Sequence, residues 1–180
     1  MPAIDKSRVL IIATDGFEQD ELFKPREALL DAGARVTLAS PKTDPIQGME
    51  GDIEKAATIT PDLTLDAVNP DAYDALVIPG GTINSDKMRV QPDAQRIAKA
   101  FFAAGKTVAA ICHRPWLLAG AGLVAGRTMT SYESIRTDLR NAGANVVDEQ
   151  VSIDGKLVTS RKPDDIPAFI DALIRSIEAD

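Results

Sequence analysis

The chain contains one cysteine and one histidine among its 180 residues. A structural zinc site needs four Cys or His ligands, so these two residues exclude one. A lone cysteine also cannot form a disulfide within the chain, which is typical of a reducing compartment, and we expect a cytoplasmic protein. The sequence predicts no cofactor and no metal.

An excess of basic charge and long apolar runs are also missing. The net charge of -7 argues against nucleic acid as the main partner, because phosphate binding requires a basic surface. No apolar run approaches the length of a membrane span, and no signal-like apolar segment precedes the first predicted strand. We therefore expect neither a membrane partner nor a leader. A chain of this length, 44% hydrophobic and 26% charged, suits one globular domain over residues 1–180.

Short apolar runs alternate with amphipathic segments along the chain. The apolar runs predict strands at 8–13, 35–40, 73–79, 108–111, 126–131, 146–148, 151–153 and 157–160. Helices are predicted at 25–33, 92–105 and 134–143, after Pro115, and from Asp164 or Asp165 onward. The weaker pattern over 41–70 predicts a small hairpin or flap followed by a short helix. This alternation predicts an α/β protein with a mostly parallel sheet covered on both sides.

The cysteine and the histidine are neighbours, Cys112 and His113, between a buried strand and a helix that begins at Pro115. A sharp strand-to-helix turn raises its residue above the carboxyl edge of a sheet, as in a nucleophile elbow. The helix N-terminus, His113 and Arg114 would all favour a thiolate, so we predict a reactive Cys112 with a pKa below the ordinary value of about 8.5. The alternative is a small, buried and inert cysteine.

Ligands of parallel α/β sheets bind outside the carboxyl ends of the strands, where three loops of this chain meet. These loops are 14–18, 80–89 and 112–116. Gly80 and Gly81 would present backbone N–H groups to an oxyanion, or would merely turn the chain. Glu18 would reach the elbow from the first loop, or would only favour a helix dipole. The glycine spacing fits no nucleotide-binding motif.

Motifs distributed over nearly the whole chain resemble the PfpI branch of the ThiJ/PfpI superfamily. They are Asp-Gly-Phe-Glu at 15–18, Pro-Gly-Gly-Thr at 79–82, Ala-Ile-Cys-His-Arg-Pro-Trp at 110–116, Thr-Ser-Tyr at 130–132, Asp-Leu-Arg-Asn-Ala-Gly at 138–143, Asp-Gly-Lys-Leu-Val-Thr-Ser-Arg at 154–161 and Pro-Asp-Asp-Ile-Pro at 163–167. The resemblance implies a flavodoxin-like three-layer sandwich with a small peripheral hairpin. It also implies a cysteine on a nucleophile elbow.

The resemblance assigns roles to individual residues. Cys112 would be the nucleophile and His113 its partner, while Gly80 and Gly81 would line the oxyanion site. Glu18 would be the carboxyl that hydrogen-bonds the thiol. We predict that Glu18 is protonated at pH 7, because an ionised carboxylate would repel a thiolate.

Two further residues, Asp86 and Arg114, are expected to act at a subunit interface and at the substrate, respectively. Asp86 matches the acidic position that, in the family's oligomers, orients the histidine from a neighbouring subunit, so a homodimer or higher homo-oligomer is expected. The alternative for Asp86 is an ordinary solvated aspartate. Arg114 stands where the family usually has glycine. We count it among the residues that contact substrate or the oxyanion, where its bulk would narrow the cleft.

The resemblance implies a stress-response protein acting on reactive carbonyls or carbonyl-modified amines by deglycase- or glyoxalase-type hydrolysis. A thiolate would add to the carbonyl, and the oxyanion donors would stabilise the hemithioacetal. One alternative is a non-enzymatic redox sensor or stress chaperone that works through oxidation of Cys112. An inert α/β protein is another, and a cysteine peptidase is disfavoured because loops offer no evident peptide cleft. Glutamine-hydrolysing elbow enzymes are excluded because they use a second, distant histidine.

Overall fold

The computed structural model describes residues 3–179 as twelve strands and six α-helices joined by short loops and 3₁₀ turns. The strands are β1 Arg8–Ile12, β2 Phe17–Glu18, β3 Arg35–Ser40, β4 Ile46–Glu50, β5 Glu54–Ile59, β6 Leu63–Thr64, β7 Ala75–Ile78, β8 Thr107–Ile111, β9 Thr128–Met129, β10 Asn145–Val146, β11 Val151–Asp154 and β12 Leu157–Ser160. The helices are α1 Gln19–Asp31, α2 Thr82–Arg89, α3 Pro92–Ala103, α4 Pro115–Gly120, α5 Arg136–Asn141 and α6 Ile166–Glu178.

A seven-stranded sheet forms the middle layer, in the order β11-β12-β8-β7-β1-β3-β6. Only β11 runs antiparallel to its neighbour. The central five strands therefore follow the order 2-1-3-4-5 of a flavodoxin-like fold. The predicted fold class is confirmed.

Side chains of the central strands alternate between two apolar clusters, one on each face of the sheet. On β1, Leu10 and Ile12 pack on the face covered by α3 and α4, whereas Val9 and Ile11 pack on the face covered by α1 and α6. Every residue of β7 and β8 is buried. Continuous apolar strands of this kind require helices on both faces, which explains the three layers.

A second, three-stranded sheet forms a flap beside the carboxyl edge of the main sheet. Strands β4 and β5 are antiparallel, and β2 pairs in parallel with β4. The turn between β4 and β5 contains Asp52, which has a positive φ of 63°. This flap is the hairpin predicted within 41–70, and it brings Asp52 toward the strand ends.

Two helices begin where the sequence did not place them. Helix α1 begins at Gln19 and continues through Pro25, because its buried stripe of Leu22, Pro25 and Leu29 packs on the sheet despite the missing proline N–H. Helix α2 begins directly after Gly81, in a polar segment to which the sequence assigned no helix. Within residues 3–179, no helix is both long and apolar enough to cross a membrane.

Candidate active site

Cys112 lies on the turn between β8 and α4 with a positive φ of 65°. Its N–H donates to the carbonyl of Ser160 at 3.0 Å, and its carbonyl accepts from the N–H of Tyr132 at 2.9 Å. A left-handed conformation costs a non-glycine residue about 1–2 kcal/mol and persists only where the surroundings impose it. The structure thus places the cysteine on the strand-turn-helix elbow that the sequence predicts.

The sulfur of Cys112 is surrounded by hydrogen-bonding groups. The side chain of Cys112 is 6% exposed, and its Sγ lies 3.1 Å from Nδ1 of His113. The backbone N–H groups of Gly81 and His113 both donate to the sulfur. This arrangement directs one imidazole nitrogen and two backbone donors at a single thiol.

The pKa of the Cys112 thiol is raised well above its usual value, first by burial and then by the charge of Glu21. The prediction of a lowered pKa was wrong for three reasons. Helix α4 has only six residues, burial lowers the pKa of His113 and leaves its ring neutral, and the Arg114 guanidinium bonds elsewhere. The thiol of Cys112 is therefore protonated at pH 7.

The carboxyl beside the thiol belongs to Glu21. Its side chain is fully buried, its Oε2 accepts from the N–H of Gly80 at 2.8 Å, and its Oε1 has no hydrogen-bond partner. Burial, followed by the charge of Glu18, raises the pKa of Glu21 to about 8. Glu21 is therefore protonated at pH 7 and has a hydrogen to donate to the sulfur.

The sequence predicted Glu18 as the carboxyl beside the thiol, and this was wrong because Glu21, about one helical turn later, lies there. Oε2 of Glu18 accepts from the N–H of Gly51 at 3.0 Å, which ties the flap turn to the start of α1. Burial raises the pKa of Glu18. The signal for Glu21 was its spacing, since it falls on the same buried stripe as Pro25 and Leu29. The sequence predicted that this helix begins at Pro25, so Glu21 fell outside it and the stripe was not recognised.

Gly80 and Gly81 have different roles at the site. The N–H of Gly81 is directed at the sulfur, and its predicted role toward an oxyanion stays a prediction, whereas the N–H of Gly80 is taken by Glu21. The second donor is the N–H of His113, so assigning Gly80 as an oxyanion donor was wrong. A Cβ at Gly80 would collide with Oε2 of Glu21 and lie 2.7 Å from Cβ of Cys112. Glycine is thus needed there for close approach.

The far side of the His113 ring faces two hydroxyls. Nε2 lies 3.1 Å from Oγ of Ser134 and 3.4 Å from Oγ1 of Thr82. The ring stacks on Tyr132 with centroids 4.5 Å apart. Asp86 is exposed on α2 and does not line the cleft of its own chain, so its predicted role across a subunit interface stays a prediction.

Arg114 points away from the cleft. Its side chain is fully buried, and its guanidinium donates to the carbonyl of Ile12 at 2.9 Å and to that of Asn84 at 3.3 Å. Burial lowers its pKa to about 9. The prediction that Arg114 contacts substrate or the oxyanion was wrong. Its bulk fills the layer between β1 and α2 and leaves the cleft open.

The cleft above Cys112 has a volume of about 390 Å³. Five carboxyl side chains and one ammonium line it: Glu18, Asp20, Glu21, Glu50, Asp52 and Lys162. Its volume is typical of a small-molecule site. Over residues 3–179, no group of three or more Cys, His, Asp or Glu side chains is arranged to hold a metal ion.

The fold and the site define a flavodoxin-like protein whose single cysteine lies on a nucleophile elbow. The sequence model of the DJ-1/PfpI family matches residues 7–176, so the chain belongs to that family. It is 42% identical over 171 residues to a deglycase of Pyrococcus abyssi, covering 95% of this chain and 99% of the relative. It is also 42% identical over 164 residues to general stress protein 18 of Bacillus subtilis, covering 90% and 92%. The crystal structure of DJ-1beta from Drosophila melanogaster superposes with a TM-score of 0.88 at 29% identity, covering 97% of this chain and 92% of that one.

Proposed function

We propose that this protein is a stress-protective, cysteine-dependent hydrolase of the deglycase or glyoxalase type. Its substrates would be reactive carbonyls, or amines modified by them. The observation that carries the proposal is the thiol of Cys112, 3.1 Å from Nδ1 of His113, with two backbone N–H groups directed at the same sulfur. The relatives named deglycase and general stress protein support the reaction class and the stress-protective role, and the lone cysteine supports a cytoplasmic setting.

The chemistry begins with addition of sulfur to a carbonyl carbon. As the S–C bond forms, the thiol proton passes to Nδ1 of His113, and the C=O π pair moves onto oxygen. The N–H groups of Gly81 and His113, which are directed at the sulfur in the free protein, would donate to the oxyanion that forms beside it. Protonated Glu21 places no negative charge beside the adduct at pH 7.

The overall reaction needs only water. For an amine modified by methylglyoxal, the products are the free amine and lactate. The aldehyde carbon is oxidised to a carboxylate while the ketone carbon is reduced to an alcohol in the same molecule, so no external redox partner is consumed. A cleft of about 390 Å³ suits a three-carbon adduct on one side chain better than an extended peptide. The volume therefore favours this reaction over peptidase activity.

Replacing Cys112 with alanine is expected to abolish lactate formation. The substrate would be Nα-acetyl-lysine first treated with methylglyoxal, and lactate and free amine would be measured together. Equal amounts of the two products are expected from the wild type, because each turnover releases one of each. Lactate at the wild-type rate from Cys112→Ala would contradict the proposal.

A redox role for the same cysteine is the second candidate. The donors around the sulfur, Gly81 N–H and protonated Glu21, would equally stabilise a sulfinate. Intact mass after limited peroxide treatment separates the two functions. Oxygen gain confined to Cys112, without lactate production, would favour a sensor or stress chaperone over an enzyme.

We also propose that the protein acts as a homo-oligomer in which Asp86 orients His113 of a neighbouring subunit. Asp86→Asn is then expected to lower activity without changing stability, because its side chain is exposed in the single chain. Mixing Asp86→Asn with Cys112→Ala gives the sharper test. Each mixed dimer would regain one site that combines both native residues, so roughly a quarter of the wild-type activity should return. An active monomer by sedimentation, or no complementation, would contradict the composite site.

A further inference from the structure

We propose that Asp52 and Thr82 are positioning residues that fix the tautomer of His113, so that Nδ1 is unprotonated beside the thiol of Cys112. The proposal deepens the proposed function because it concerns the same site. It requires only residues of one chain, unlike the assignment of Asp86.

A continuous series of polar contacts carries the inference. Sγ of Cys112 lies 3.1 Å from Nδ1 of His113, and Nε2 of the same ring lies 3.4 Å from Oγ1 of Thr82. Oγ1 of Thr82 donates to Oδ2 of Asp52 at 2.6 Å. Oδ1 of Asp52 accepts from the N–H of Thr82 at 2.8 Å. Both carboxylate oxygens of Asp52 are therefore directed at one residue.

The direction of each hydrogen bond follows from the ionised carboxylate. A carboxylate only accepts, so the single hydroxyl proton of Thr82 is committed to Asp52. Oγ1 of Thr82 is then left as an acceptor toward His113, which places a proton on Nε2. A neutral imidazole carries one proton, so Nδ1 keeps its lone pair. That lone pair faces the sulfur and takes its proton, as the orienting carboxylate of a catalytic triad ensures for its histidine.

Ser134 does not determine which nitrogen of His113 carries the proton. Its Oγ is closer to Nε2, at 3.1 Å, but a serine hydroxyl rotates and either donates or accepts. It satisfies whichever tautomer is present. Thr82 differs because its hydroxyl already donates its proton to Asp52. The tautomer is therefore decided at Thr82, and Ser134 adapts to it.

The flap holds Asp52 in a conformation that serves this contact. Asp52 has a φ of 63°, which costs about 1–2 kcal/mol for a non-glycine residue and needs a local cause. Glu18 supplies part of it by accepting from the N–H of Gly51 next to Asp52. The two hydrogen bonds from Thr82 to the carboxylate of Asp52 also hold this backbone conformation. Helix α2 begins at Thr82, so the same carboxylate also caps its first turn.

The tautomer can be observed directly because His113 is the only histidine in the chain. In the ¹⁵N-labelled wild type, long-range ¹H–¹⁵N spectra are expected to show Nε2 protonated and Nδ1 unprotonated. Asp52→Asn keeps an acceptor for the Thr82 N–H but turns the other contact into a donor. The Thr82 hydroxyl is then free to donate to Nε2, so the proton is expected to move to Nδ1. Alkylation of Cys112 by iodoacetamide should slow by about 10- to 100-fold.

Matched variants keep the test specific. Thr82→Val should also slow alkylation, and Thr82→Ser, which keeps the hydroxyl, should restore it. Glu54→Gln and Thr58→Val make the same chemical changes on exposed positions of β5 and should leave both readouts unchanged. Circular dichroism would confirm that each variant is folded.

Three results would overturn the proposal: a wild type protonated on Nδ1, an Asp52→Asn variant with unchanged tautomer and alkylation rate, or a Ser134→Ala variant that alone moves the proton. Neither readout requires turnover. If the tautomer moves as expected while lactate is never formed, the positioning pair stands and the hydrolase function fails.

Discussion

The Glu21→Gln variant is expected to lose most of the pH dependence of stability between about pH 4.5 and 8. In the folded protein the pKa of Glu21 is raised to about 8 by burial, whereas the unfolded chain ionises near the ordinary value of 4.5. Between these values the folded state holds one more proton than the unfolded state, so the free energy of unfolding falls as the pH rises. The loss approaches roughly 5 kcal/mol and is complete above pH 8.

Urea unfolding of the wild type and Glu21→Gln from pH 4.5 to 8.5 measures this contribution as a difference between two curves. Glutamine keeps an acceptor for Gly80 and a donor for the sulfur but has no proton to lose. Glu27→Gln is the control, since Glu27 is exposed on the same helix. Parallel curves for wild type and Glu21→Gln would show that Glu21 ionises normally in the folded protein.

The ionisation of Glu21 also affects the thiol of Cys112 in the cleft. Below about pH 8 the carboxyl of Glu21 is neutral and places no charge beside the sulfur, whereas above it the carboxylate repels a thiolate. The site therefore does not activate its cysteine with nearby positive charge. Burial keeps the carboxyl of Glu21 and the ring of His113 neutral at pH 7. The thiol pKa is raised because the sulfur is buried and, once Glu21 ionises, faces its negative charge, whereas the sequence arguments considered only groups that favour a thiolate.

The parts of the site that were predicted correctly are those encoded locally. Cys112 and His113 are adjacent, and the apolar strand and the proline on either side of them determine the elbow. Burial on both sheet faces similarly determines the parallel core. In each case the controlling residues lie within a few positions of one another. Hydrophobic pattern and turn chemistry were therefore sufficient.

The parts that were missed depend on contacts between distant segments. Asp52 and Thr82 are 30 positions apart, and they meet only because the flap folds over the start of α2. The choice between Glu18 and Glu21 depended on where α1 begins, which the buried stripe decides and Pro25 obscured. The direction of the Arg114 side chain depends on space between two layers. A single sequence contains no measure of that space.

Arg114→Ala is expected to destabilise the protein by about 3 kcal/mol while leaving the Michaelis constant for a modified amine unchanged. The side chain is fully buried and bridges the end of β1, through the carbonyl of Ile12, to the first turn of α2, through that of Asn84. Asn84 in turn donates to the carbonyls of Pro79 and Gly80, beneath the cleft. Truncation removes two donors and leaves a cavity, and both effects are unfavourable.

Two further variants separate the causes of that loss. Arg140→Ala removes an exposed arginine from α5 and should change the unfolding free energy by no more than about 0.5 kcal/mol. Arg114→Met keeps the volume of the stem without the buried charge, so it should cost less than Arg114→Ala if packing dominates. A raised Michaelis constant with unchanged stability would instead return Arg114 to the substrate cleft, where the sequence placed it. The structure predicts the opposite pattern, because a guanidinium bonded beneath the elbow supports the cleft without reaching the substrate.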